Sequence, residues 1–367
     1  MRRVLISTGD FSADIHAASL ILELKKLDPS LHVTALGGIK LKAVSDVFLK
    51  DMVDLDVSGF TQPIKQFFNL KNILLNTVFP LLDPQQLSAV ILVDYYGFNI
   101  RIAHKAKAMG IPVFYFVSPQ VWASRRWRVK SLKKSVSKML VIFPFEEGLY
   151  RSQGVPVEFV GHPLLDQLPN PNGKAPSRTS PIFSFMPGSR VRECDRHIPL
   201  MCAALERLQE RWPNLKARMF AADNLSDAYY KKFKGMEDFE WVRGNDLNKR
   251  LESTVIVTAS GTATLENALL GLPMVVVYQM SWLTYWLARW LIRVPYISMP
   301  NLLAKKELVP EFVQYKATPR SITRAIEMIL TQPQRLEGMV RELIQLREQL
   351  GQPGAYARAA QSIYKSL

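Results

Sequence analysis

The chain has 367 residues, 48% hydrophobic and 22% charged, enough for two cores of ordinary domain size. A formal net charge of +15 and a pI of about 9.7 favour an anionic partner, whether nucleic acid, acidic lipid or phosphorylated substrate, without choosing among them. Cys194 and Cys202 are the only cysteines, which argues against a disulfide or metal role and for a reducing compartment.

In chain order, Arg3–Ser7 reads as a strand and Asp14–Lys26 as a helix, with Ile15, Ala18 and Leu22 at helical spacing. Asp10 and Asp14 interrupt the short apolar run behind Arg2 and Arg3. The N-terminus therefore does not read as a signal peptide, and the chain is expected in the cytoplasm. Leu31–Leu36 is the next strand, closed by Gly37 and Gly38. Pro63–Val78 is helical, Leu87–Asp94 a strand and Asn99–Met109 a helix. Gly110, Ile111 and Pro112 reset the chain into strand Val113–Val117, and Lys138–Ile142 and Val157–Val160 are two more. Buried apolar strands separated by helices predict a parallel sheet covered on both faces. The proline-rich stretch 169–181 reads as a linker between a domain at 1–168 and another at 182–340.

Beyond it the alternation restarts. Strands are expected at Ile182–Met186, Ala217–Ala221, Val255–Thr258 and Met274–Tyr278, and helices at Ile198–Trp212, Asp227–Lys234 and Thr262–Leu270. Arg320–Leu330 and Gln334–Gln349 are helices. The second has an apolar stripe from Leu336 to Leu346 that needs a partner surface, and 341–367 is expected to pack back on the first domain. The predicted fold class is α/β, two Rossmann-like doubly wound domains facing a cleft. Val275–Ile292 holds one charge, Arg289, and nearly reaches the length of a membrane span. Pro273 and Pro295 flank it, and Gln279 and Ser281 break its first part. It reads better as a strand, a turn and an amphipathic helix over Leu283–Ile292, either buried or at a membrane surface.

Two turns suit an anion. Ser260, Gly261, Thr262 and Ala263 lie between an apolar strand and a helix, where backbone N–H groups and the helix dipole would face a phosphate. Glu266, one turn on, would reach a sugar hydroxyl of the same ligand. Pro187-Gly188-Ser189-Arg190 follows another strand, and Arg190 can make a bidentate contact to a diphosphate. A nucleotide is the expected ligand. No acidic cluster of metal type lies near either turn, and the histidines form no spaced motif, so no metal or other cofactor is expected. In the first half, Asp94 ends an apolar strand, where a carboxylate would point into the cleft.

A basic run begins at Arg125 and continues through Arg126, Arg128, Lys130, Lys133, Lys134 and Lys138, interleaved with Trp127 and preceded by Trp122. It reads as an amphipathic basic surface for anionic lipid heads and a phosphorylated acceptor, with a plain solubilising surface as the alternative. Nucleic acid is disfavoured, because no recognised motif for it lies beside the run.

The motifs, in order, resemble those of the bacterial lipid-A-disaccharide synthases, two-domain glycosyltransferases of the GT-B type (family 19). Gly9-Asp10-Phe11-Ser12-Ala13-Asp14 is similar to the family's Gly-Glu-x-Ser-Gly-Asp, and Asp94-Tyr95-Tyr96-Gly97-Phe98-Asn99 to its Asp-x-Pro-x-Phe-Asn. Tyr115 to Ala123, Pro144-Phe145-Glu146, Gly161-His162-Pro163, Pro187 to Arg190 with Glu193, Ser260 to Ala263 with Glu266, and Pro300 to Ala304 complete the series. The resemblance implies transfer of a diacylated glucosamine from UDP to a diacylglucosamine 1-phosphate. It makes Asp94 the first choice of base and Asp10 the second. Ser12 and Asn99 become acceptor-side residues, and Gln279 and Asn301 donor contacts. Asp14 or Asn99 would alternatively cap its helix, and His162 could be structural. The resemblance also implies peripheral attachment to the inner face of the cytoplasmic membrane, with Trp122 or the Leu283–Ile292 helix as an apolar path for acyl chains. A homodimer is compatible with the sequence. Asp10, Ala13 and Tyr96 depart from the family pattern on the acceptor side. A diverged paralogue, a UDP-sugar epimerase and a non-catalytic binder therefore stay open as alternatives.

Overall fold

The structure, a computed structural model, describes residues 1–53, 63–171, 173, 176, 180–291 and 294–367. Much of the linker expected over 169–181, and Ile292 at the end of the expected Leu283–Ile292 helix, lie outside the described residues.

Long apolar runs build the centre of each sheet. β1 (Arg3–Ser7) buries Val4, Leu5 and Ile6 completely, and β4 (Ala89–Val93) is buried at every position. Such strands have apolar neighbours on both faces, as parallel sheets with helices on each side require. With β2 (His32–Gly37), β3 (Val47–Asp51), β5 (Val113–Phe116), β6 (Lys138–Val141) and β7 (Val157–Phe159) they form a parallel sheet ordered β3-β2-β1-β4-β5-β6-β7. The second sheet comprises β8 (Ile182–Met186), β9 (Lys216–Ala221), β10 (Glu240–Arg243), β11 (Val255–Ala259), β12 (Met274–Tyr278) and β13 (Glu311–Val313). It is also parallel, in the order β10-β9-β8-β11-β12-β13.

The strand order reverses once in each sheet, between β1 and β4 and between β8 and β11. Ser7 is level with Leu92, and Thr258 with Met186. At each reversal the loops leave toward opposite faces and open a crevice beyond the carboxyl ends. Residues 8–12 and 94–96 occupy the first such position, and 187–190 and 260–263 the second.

The chain divides into one unit of Met1–Gln167 with Leu350–Leu367, and another of Leu168–Gln349. Helix Pro333–Gln349 therefore stays with the second sheet, and the segment that returns begins at Leu350 rather than at 341. The stripe of Leu336, Met339, Val340, Leu343 and Leu346 is buried against helices Thr262–Leu269 and Pro319–Thr331 of its own unit. The returning helix, Ala355–Tyr364, packs along helix Phe11–Leu27. There His16 Nδ1 lies 2.8 Å from the Tyr356 hydroxyl, Arg358 Nε donates to Val160 O at 2.8 Å, and Ser362 Oγ donates to Glu158 at 2.7 Å. Burial lowers the His16 pKa to about 4, so the ring is neutral in this contact.

A chain ending at Gln349 would expose the sites now covered by Ala355, Tyr356, Ala359, Ala360 and Ile363, all buried. Its first unit is expected to melt more than about 10 °C lower, with the second unit unchanged. Hydrogen exchange resolved by segment checks this: protection should fall in β1 and β4 and persist in β8 and β11. An equal loss in both sheets would contradict the assignment.

Candidate active site

Asp94 is the first residue beyond β4. Both it (φ 44°) and Tyr95 (φ 46°) are left-handed, as is Val117 (φ 57°) beyond β5. For a β-branched residue this is a strained conformation, of the kind that persists where surrounding contacts enforce it. At Asp94 the backbone is held largely by Asn99. It is fully buried in helix Tyr96–Ala108, where its amide nitrogen donates to Asp94 O at 2.9 Å and to Ser7 O and Val93 O at 3.2 Å. Its oxygen accepts from Ser7 Oγ at 2.8 Å. Tyr115 Oη also donates to Asp94 O. Asn99 is thus neither an acceptor ligand nor a helix cap, because its polar atoms are spent joining the ends of β1 and β4.

The Asp94 side chain is half-buried. Burial, and then the charge of Asp10, raise its pKa to about 7, against the opposing pull of the Tyr95 N–H. Asp10 comes from the adjacent strand end, where its Oδ1 caps helix Phe11–Leu27 by accepting from Ala13 N at 2.8 Å. Ser12 is exposed on the first turn. Asp14 does not cap its own helix. It is buried within it and accepts from Gly38 N at 2.7 Å, Lys40 N at 2.9 Å and Leu41 N at 3.2 Å, fixing the turn after β2. Gly9 lies under Tyr95: a Cβ there would fall 2.3 Å from the ring.

In the second unit, Arg190 heads helix Val191–Arg211 with its side chain 74% exposed and Nη1 3.0 Å from Glu193 Oε1. Gly188 (φ 105°) leaves room for that glutamate, since a Cβ would meet Glu193 Oε2 at 2.6 Å. Buried His197 accepts Gln279 N at Nε2 (2.9 Å), which places its proton on Nδ1 for donation to Pro187 O (2.8 Å). One neutral ring thereby links the turn after β8 to the end of β12. Beyond β11, Gly261 and Thr262 are exposed, Ala263 half-buried, and helix Thr262–Leu269 offers first-turn amides without intrahelical acceptors. Ser260 Oγ donates to Ile297 O at 2.9 Å. Glu266 accepts from Arg250 Nη1 at 2.7 Å. Arg250, which gives no local sequence signal, is fully buried.

Asn301 and Gln279, the two further residues expected on the donor side, both make loop contacts. Asn301 is fully buried and pairs with Val309 O, Val309 N and Glu311 Oε1 at 2.7–2.8 Å. The Gln279 amide nitrogen is held by Ala317 O at 3.1 Å and Gln314 O at 3.5 Å. Asn301 is thereby spent within its own loop, whereas half-buried Gln279 has only its amide nitrogen engaged in these contacts.

The basic run forms helix Arg128–Ser135 and the loop before it. Arg125, Arg126, Trp127 and Lys130 are exposed, and the Arg128 guanidinium lies 4.3 Å over the Tyr96 ring. Trp122 is half-buried edge-on to Phe145, with centroids 5.2 Å apart, whereas Trp127 is 67% exposed with the Arg128 guanidinium 5.7 Å from its ring centre. Helix Trp282–Leu291 exposes Trp282, Trp286 and Trp290 at successive turns. A cavity of about 310 Å³ in the first unit, lined by Phe67, Lys71, Leu74, Leu75, Phe79 and Arg101, was not foreseen. Among the described residues no helix is long and apolar enough to cross a membrane, and no group of three or more His, Cys, Asp or Glu is placed to hold a metal ion. Cys194 and Cys202 are buried free thiols on one helix.

The fold is shared with solved structures of low identity. UDP-GlcNAc 2-epimerase from Neisseria meningitidis superposes with a TM-score of 0.63 at 14% identity, covering 99% of each chain. MurG of Acinetobacter baumannii gives 0.59 at 14% identity, covering all of both chains. Two-Rossmann architecture of this GT-B kind does not by itself assign an activity. Sequence does. The lipid-A-disaccharide synthase of Syntrophus aciditrophicus (strain SB) is 38% identical over 97% of this chain and 96% of its own length. That of Myxococcus xanthus (strain DK1622) is 35% identical over 100% and 97%. The family model for lipid-A-disaccharide synthetase matches residues 4–365, and with these strand-end turns in place the chain belongs to that family of glycosyltransferases.

Proposed function

We propose that the chain transfers 2,3-diacylglucosamine from UDP to 2,3-diacylglucosamine 1-phosphate, with inversion at the donor C1. The acceptor 6-hydroxyl attacks C1 from the face opposite UDP, its proton passes to the Asp94 carboxylate, and the C1–O bond breaks with its electrons leaving on UDP. The products are the β-1,6-linked disaccharide 1-phosphate and UDP. The observation that carries this reading is the Asp94 carboxyl, fixed at a strand reversal and raised to about 7. A base with that pKa is about half ionised near neutrality, and its ionised form takes a proton more readily than an ordinary carboxylate does. In the second unit Arg190 and the amides of residues 261–263 meet the charge that grows on the diphosphate, and Glu266 accepts from the ribose. That arrangement uses no metal. The exposed basic residues around Arg126 and the tryptophans of helix Trp282–Leu291 support attachment to the anionic inner face of the cytoplasmic membrane, where both acylated substrates would reside.

Asp94→Asn keeps the size and tolerates the left-handed backbone, but accepts no proton. Single-turnover transfer is expected to fall by roughly two to four powers of ten while UDP affinity stays near normal. Near-normal transfer would hand the base role elsewhere.

Asp10→Asn retains the helix cap and removes the charge that helps raise Asp94. Because activity needs Asp94 ionised, the rate should rise with pH through about 7 in the parent chain. In Asp10→Asn that midpoint should move to lower pH, yet stay above the ordinary carboxylate range because burial remains. A pH–rate profile of kcat/KM checks both statements, and an unmoved midpoint counts against the coupling.

Arg190→Ala should weaken UDP binding by roughly 10- to 100-fold, since a hydrogen-bonded charge contact is lost. Transfer by the parent chain should survive EDTA. Loss restored only by magnesium or manganese would overturn the electrostatic account.

On anionic vesicles, reversing Arg125, Arg126 and Lys130 to Glu should abolish the salt-sensitive part of binding. Trp286→Ser with Trp290→Ser should remove what persists at about 1 M salt. Flotation of the four combinations separates the two contributions, and binding unaffected by either change would refute this mode of attachment.

A further inference from the structure

We infer that Arg250 is a positioning residue that makes the donor site selective for ribose over 2′-deoxyribose. The inference rests on the reading of Glu266 as the ribose contact and extends it to the group that aims the carboxylate.

Arg250 lies in a helix of five residues, Leu247–Leu251, and no part of it is exposed. A guanidinium so far from water needs counter-charge and acceptors in its own plane. Four contacts supply them. Nε donates to Asn267 Oδ1 at 2.7 Å, Nη1 to Asn245 Oδ1 and Glu266 Oε2 at 2.7 Å each, and Nη2 to Ala263 O at 3.2 Å. Glu266 is the carboxylate in this set, and its side chain remains 19% exposed. Asn245, on the outer edge, donates to the same Oε2 at 3.4 Å. The carboxylate is thus held from the protein side through Oε2, which leaves Oε1 without a hydrogen bond to the described residues.

A glutamate on a helix surface ordinarily samples several rotamers, and ordering it upon binding offsets part of any contact it makes. Here the order is already present. Arg250 also grips Ala263 O, in the turn whose amides face the diphosphate, and through Asn267 reaches the end of β8, where Asn267 Nδ2 lies 3.8 Å from Met186 Sδ. The ribose-binding oxygen and the phosphate-binding turns are therefore parts of one rigid assembly. An acceptor at a fixed distance from a held diphosphate discriminates sharply between a sugar with a 2′-hydroxyl and one without it, because the missing donor leaves a desolvated carboxylate oxygen unpaired. A mobile glutamate would swing back to water and discriminate little.

The test is calorimetric affinity for UDP and for 2′-deoxy-UDP. The parent chain is expected to prefer UDP at least tenfold. Arg250→Met should reduce the preference to about threefold or less, with 2′-deoxy-UDP affinity within about threefold of the parent. Asn245→Ala, at an exposed position, should reduce the preference part of the way without unfolding the protein, and it carries the test if Arg250→Met does not fold. Equal loss of both affinities in Arg250→Met, as from a merely structural ion pair, overturns the inference, as does an unchanged preference in Asn245→Ala. Glu266→Gln separates the underlying reading: if that variant keeps the parent preference, Glu266 does not contact the ribose and both statements fall. If Glu266→Gln loses the preference while Arg250→Met and Asn245→Ala keep it, the contact stands and the positioning role alone is refuted.

Discussion

The side-chain amide of Asn99 is the interaction on which the first unit's chemistry depends. Three backbone carbonyls and one hydroxyl converge on it where two parallel strands end side by side. Without it the buried Ser7 hydroxyl would lose its acceptor and Asp94 O one of its two side-chain donors, and the left-handed turn at Asp94 would lose a principal restraint. A neutral group in this position has a further effect. It braces the carboxylate without neutralising it, so burial and Asp10 are left to raise its pKa. An arginine or lysine in the same place would offer donors to the carbonyls but no acceptor for the Ser7 hydroxyl, and its charge would hold the nearby carboxylate at a lower pKa.

The second unit solves a different problem with the opposite choice. Its ligand is an anion, and its internal brace is a buried cation, Arg250, neutralised by one glutamate. Around it the connections are made by neutral groups: His197 between the turns after β8 and β12, Asn301 across a loop, Ser260 to Ile297. Arg190, largely exposed and paired with Glu193, carries its positive charge on the solvent side. The division is economical in electrostatic terms, since each unpaired buried charge would be several times costlier than a neutral hydrogen bond.

Much of this architecture was legible in the sequence. The central strands announce themselves by unbroken apolar runs such as Ala89–Val93, and the turns after β8 and β11 by small residues between a strand and a helix. The strands that escaped notice, β3, β10 and β13, are all sheet edges. They are short or half-exposed, carry Lys50, Glu240, Arg243 or Glu311, and so lack the signal that full burial imposes. The position of Asp94 was readable because an unbroken apolar strand ends immediately before it. The sequence misled where a polar side chain beside a motif turned inward. Asn99 and Asn301 look the same in sequence whether they face a substrate or a carbonyl, and only tertiary packing distinguishes the two. Arg250 was invisible for the converse reason, since a lone arginine in a short polar helix reads as a solvated surface.

The return of residues 350–367 to the first unit has a consequence for how the protein is made. A ribosome releases the seven strands of the first sheet long before the helix that covers Phe11–Leu27 has been synthesised. At ~5–20 residues per second, the intervening unit takes on the order of tens of seconds to emerge. Throughout that interval the nascent first unit displays an uncovered apolar helix face in a crowded cell. The first unit thus becomes whole only after the second has been synthesised, and its exposure to chaperones and to mispairing with neighbouring nascent chains is governed by the length of the domain in between.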